Sequence, residues 1–249
     1  EEIKSLMNTG DYVGALQRQL WYFNHALEHG EVNPVRLSFG ISNWRELGRR
    51  YPKAKQVLIE IRDQKTRAFA QGSGHFDLFQ EIVAMNRELQ DDTATLDLFQ
   101  RIEKQDTVLA GQCYFSAEEI LVKRGLYDTC LKYVGDPRRR FEGLLNLWHR
   151  NESVDQKREG WRSRSELTDA VSYPFPQTRN HDQFFVDQTR MLIEILVGAG
   201  RKAEAEQIKQ QALAVLNVAE LQSAVRKAEE KIHANQQQTE NNRDTHFTN

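Results

Sequence analysis

The chain has 249 residues, 39% of them hydrophobic and 28% charged, so it can bury a core and remain soluble. A formal net charge of −2 excludes the global positive field of a nonspecific nucleic-acid binder, and no apolar run approaches the roughly 18 residues that cross a bilayer. Five Pro and fourteen Gly favour long helices over a turn-rich β protein, while two cysteines, Cys113 and Cys130, are too few for a disulfide framework and read as small buried thiols.

In chain order, EEIKSLMNTG reads as the end of a truncated helix, with further units expected before residue 1. Residues 10–27, GDYVGALQRQLWYFNHAL, turn at Gly10-Asp11 into a helix carrying Ala15 and Leu16. Residues 33–64 and 75–105 each read as helix, short break, helix. In the first of these, Leu37, Ile41, Trp44 and Leu47 make one apolar stripe. Pro52 lacks an N–H and suits the first helical position, so the stretch WRELGRRYP predicts a helix ending near Arg50 and a second starting at Pro52. In 75–105, QDDTATLD places acids at a helix start, where Asp92 or Thr93 can cap free N–H groups. GLYDTCL, residues 125–131, repeats the Gly-turn theme. Asp136-Pro137 predicts a helix start, with Phe141, Leu144, Leu145 and Trp148 as its stripe. Residues 161–181 carry two prolines and little periodicity, and read as an irregular insertion packed by Trp161, Tyr173 and Phe175. Residues 184–216 form two helices broken at Gly198 and Gly200, the second with Ala205, Ile208, Ala212 and Leu213. Val218, Leu221, Val225, Ala228 and Ile232 follow at 3-4 spacing, a narrow seam that can cap the array or pair with another chain. From residue 236 the tail is polar and aperiodic, which predicts disorder.

Trp44, Leu47-Gly48 and Tyr51, the spacing Gly200–Ala205–Ala212-Leu213, and the recurrence of such fragments every 35–45 residues resemble tetratricopeptide repeats. The resemblance covers 1–135 and 182–216. It implies an all-α fold: a right-handed superhelix of stacked helical hairpins with a C-terminal capping helix. The implied division is helical hairpins over 1–135, a helix plus irregular insertion over 136–181, a final hairpin and capping helix over 182–235, and the tail over 236–249.

The resemblance also implies a protein- or peptide-binding scaffold that works through the concave face of the solenoid, without catalysis or cofactor. Its partner would be another protein or an extended peptide, not nucleic acid or membrane, and a cytoplasmic location is expected. The candidate contact residues are Asn24, His25, Arg36, Arg45, Arg49 and Asn86. Arg36, Arg45, Arg49, Arg50, Lys53 and Lys55 make a basic cluster suited to an acidic peptide or a carboxylate, with Arg45 and Arg49 four apart beside the apolar stripe. Asn86 sits in an apolar helix and must either find a buried partner or point into the groove. No match to the family's carboxylate-clamp residues is present, which leaves the ligand type open.

Two alternatives compete. HALEH, His25 to His29, matches the inverted zinc-protease pattern, with Glu28 as base and a distant acid such as Glu103 as third ligand. The same residues are ordinary for a helix end, where a histidine suits the dipole. The seam at 218–232 would instead serve self-association in an oligomerisation or regulatory domain.

Overall fold

The computed structural model describes residues 2–26, 28, 36–165 and 181–246, with the ends of two long helices (154–165 and 238–246) described by backbone alone. Among these residues all regular structure is helical and no strand occurs, so the all-α expectation holds. The chain divides into two compact units, Glu1–Ile120 and Leu121–Asn249.

The first unit contains α1 (Glu2–Asn8), α2 (Tyr12–His25), α3 (Ile41–Arg50), α4 (Pro52–Ala68), α5 (Phe76–Leu89), α6 (Asp92–Gln105) and most of α7 (Thr107–Lys123). Short π-helical turns, Arg36–Gly40 and Phe69–Ser73, precede α3 and α5. Each helix from α1 to α5 packs on the next, and α3 also packs on both α1 and α5.

The stretch WRELGRRYP forms the corner between α3 and α4. Tyr51 breaks the helix with an extended backbone (φ −133°, ψ 93°) and Pro52 opens the next one. Trp44 is fully buried, and its Nε1–H donates to the Ala54 carbonyl at 2.9 Å. A Cβ on Gly48 would lie 3.2 Å from Lys55 Cβ, so this glycine lets α4 close against α3. Phe23, Leu37, Ile41, Leu47, Leu58 and Met85 complete the core around Trp44. Burying such side chains stabilises the unit by about 1.5–3 kcal/mol each.

The second unit contains α8 (Tyr127–Val134), α9 (Pro137–Ser165), α10 (His181–Gly198), α11 (Lys202–Val215), α12 (Ala219–Gln222) and α13 (Ala224–His246). Helix α10 is its centre and packs against α8, α9, α11, α12 and α13. Phe185, Val186, Leu192, Ile193, Ile195 and Leu196 are all buried, a stripe wide enough for neighbours on several sides. Ala205 and Ala212, both fully buried, let α11 approach. Gly198 does more than end the helix, because a Cβ there would lie 2.2 Å from the Tyr127 ring. The seam after residue 218 is interrupted at Ser223, and Leu221, Val225 and Ala228 are buried within this unit, where α12 and α13 pack on α10 and α11. Helix α9 runs through 161–165, and Tyr173 and Phe175 lie outside the described residues. The backbone of α13 stays helical through 236–246, the stretch whose composition predicts disorder.

One turn recurs. At Gly10, Gln90, Gly125 and Gly200 the backbone is left-handed, with φ of 82°, 59°, 71° and 76°. In each, that residue's N–H bonds back three residues and the next N–H bonds back five: Gly200 to Val197 and Arg201 to Leu196, for example, or Gln90 to Arg87 and Asp91 to Asn86. These are Schellman caps, which satisfy the last carbonyls of a helix. In each case a single residue then leads into the following helix.

Candidate functional site

An open pocket of about 270 Å³ lies among α3, α4 and α5. Trp44, Leu58 and Leu89 form its apolar floor, and Arg45, Arg49 and Lys55 supply three cations around it. The corner at Pro52 creates this arrangement: it folds α4 back on α3 and brings Lys55 beside the Arg45/Arg49 face. The Schellman cap at Gln90 ends α5 at the rim, and Gln90 itself lines the pocket.

Among the described residues one acid lines the pocket. Glu88 Oε2 lies 3.0 Å from Arg45 Nε, with the arginine side chain 43% exposed and the glutamate 11%. This oxygen is buried and receives no aligned hydrogen bond among the described residues. The pair is therefore a charge contact, without the directional bond of a forked arginine–carboxylate pair. Arg49 is more exposed, at 67%, and touches Glu46 at 3.4 Å along its own helix. Exposed pairs of this kind contribute about 0.2–1 kcal/mol and reorganise easily.

Arg45 and Arg49 come together in this pocket, joined by Lys55, whereas the other expected contact residues lie elsewhere. Asn86 is fully buried: its Oδ1 accepts from Arg62 Nη1 at 2.6 Å and its Nδ2 donates to Thr95 Oγ1 at 3.1 Å. Arg62 also bonds Asp63 at 2.6 Å and Asp91 at 2.9 Å, so Asn86 belongs to a network that ties α4, α5 and α6 together. Asp91, not Asp92 or Thr93, caps α6, accepting from the Ala94 N–H at 3.1 Å. Arg36 is 3% exposed, pairs with Glu81, donates to the Phe23 carbonyl and lies 4.6 Å over the Phe23 ring. Lys65 reaches the same Glu81 at 2.7 Å.

Asn24 is exposed on α2, outside the pocket. His25 is the last residue of that helix; its ring stacks on Trp21 at 5.2 Å and its Nδ1 meets the Trp21 carbonyl at 2.9 Å. His29 lies outside the described residues, and with it the full HALEH pattern. Among the described residues no three His, Cys, Asp or Glu side chains gather as a metal site, and no helix is long and apolar enough to cross a membrane. Both cysteines are buried free thiols. Burial, with a contribution from Asp106, pushes the Cys113 thiol up to about 12, which keeps it protonated and unreactive near neutrality.

Leu58, Glu88, Leu89 and Gln90 are pocket residues that sequence reasoning missed. Glu88 reaches Arg45 across a hairpin, so no spacing announces it. Gln90 had a signal, because the Gln90-Asp91-Asp92 break occupies the place that Gly10-Asp11-Tyr12 holds earlier. No protein-family model matches the chain, and neither the curated proteins nor the solved structures compared with it include a match.

Proposed function

We propose that the protein is a binding module whose first unit docks an acidic segment of another protein in the α3–α4–α5 pocket. On this reading the hairpins of Glu1–Ile120 stack as a right-handed superhelix of the tetratricopeptide type, and the pocket opens on its concave face. The observation that carries the proposal is the set of three cations, Arg45, Arg49 and Lys55, around the apolar floor of Trp44, Leu58 and Leu89. Carboxylates would pair with the cations, and an aliphatic side chain would pack on Leu89, the floor residue that is not already buried. The scaffold contributes preorganisation: Trp44 and Gly48 hold α3 and α4 in fixed relation, so most of the ordering cost falls on the ligand.

The test is fluorescence anisotropy with a short labelled peptide of alternating Leu and Glu, and its Leu/Gln counterpart as control. Replacing Arg45 and Arg49 together by Glu should weaken binding of the acidic peptide at least about tenfold. The fold should persist, because both side chains are substantially exposed. Unchanged affinity in the folded double variant overturns the proposal.

A further inference from the structure

We infer that Glu88 is a built-in occupant of the pocket, a latch that an incoming carboxylate must displace from Arg45. The inference rests on the acidic-segment reading above and extends it to how the site selects its ligand. Glu88 Oε2 already sits where a ligand oxygen would meet Arg45, at 3.0 Å from Nε. The contact lacks an aligned hydrogen bond, so Arg45 is held by charge and can turn toward a better-placed acceptor. The glutamate side chain is 11% exposed and held on α5, so the more exposed arginine is the partner free to move. Arg49 and Lys55 have no such acid from α5 among the described residues.

The latch taxes one cation of the three. A carboxylate that displaces Glu88 exchanges one Arg45 partner for another and gains little there. A segment with two neighbouring carboxylates engages Arg49 and Lys55 with one group and competes for Arg45 with the other. The pocket still takes clustered acids, but the second carboxylate adds less than the first. It binds them more weakly than three unopposed cations would.

The experiment measures the acidic Leu/Glu peptide against four chains: wild type, the Arg45→Glu/Arg49→Glu double variant, Glu88→Gln and Glu88→Ala. Circular dichroism confirms folding of each. Both Glu88 variants should bind about two- to fivefold tighter than wild type, the range expected when one competitor is removed from a cation that is itself 43% exposed. A peptide with a single Glu, which Arg49 and Lys55 can hold without Arg45, should gain less from the same substitutions. If the double variant loses binding while the Glu88 variants bind with unchanged or lower affinity, the latch is overturned and the acidic-segment reading stands. Binding by the Glu88 variants but not by wild type supports the latch in its strongest form. If wild type and the Glu88 variants all fail to bind, or the double variant binds normally, the latch and the reading fall together.

Discussion

The turn at Gln90 and the turn at Gly200 share one backbone and one hydrogen-bond pattern, yet differ in chemistry. At Gly200 the left-handed residue is the one that adopts this conformation at least cost. At Gln90, φ of 59° is carried by a side chain that ordinarily avoids it. The surroundings differ to match. The Gln90 turn is clamped by Arg62, which bonds both Asn86 before it and Asp91 after it. Among the described residues the Gly200 turn has the short-range fork from Arg201 to Glu204, at 2.5 and 2.6 Å. A hairpin turn in this protein can therefore be specified either by its own residue or by a network from a neighbouring helix. The second kind occurs where the turn borders the pocket.

The largest effect should come from removing the clamp. Arg62→Ala leaves Asn86 and Asp91 without their shared donor and should cost about 2–3 kcal/mol in urea unfolding. A loss below about 1 kcal/mol would show that the network does not hold the turn. Next comes Gly200→Ala. A Cβ there meets nothing within 4 Å, so the cost is purely conformational, about 1–2 kcal/mol, with Gly10→Ala as an independent repeat. A neutral result would mean that the φ of 76° relaxes without penalty. The smallest effect has the opposite sign. Gln90→Gly should raise stability by up to about 1 kcal/mol, because it relieves the left-handed strain. If it destabilises instead, the Gln90 side chain supports the pocket rim more than its backbone costs, and the two turns are less alike than their hydrogen bonds suggest.

Much of this architecture was legible in the residues because its signals are local. Pro52 after Tyr51 marks a helix start regardless of context, and α4 begins there. Gly10, Gly125 and Gly200 announce their turns because few other residues take that backbone. Arg45 and Arg49 share a face by spacing alone, and the structure puts both on the pocket. The rest depends on partners distant in sequence. Asn86 reads equally as a buried polar residue or a ligand contact until Arg62 is placed beside it. Arg36 looks like part of an exposed basic cluster, but it is buried against Phe23 and Glu81. The lone acid of the pocket reaches Arg45 from another hairpin, and helical periodicity carries no information about that approach.

The recurring turn also bears on how the chain reaches its fold. Each Schellman cap closes through bonds spanning three and five residues, and at Gly10, Gln90 and Gly200 the helices it joins pack on each other. A hairpin such as α1–α2 thus draws its first stabilising contacts from residues close in sequence. Loop closure costs little entropy over such distances, and chains dominated by neighbouring contacts fold fast. Vectorial synthesis on the ribosome suits this order well: the leading hairpins can take shape while later helices are still being made.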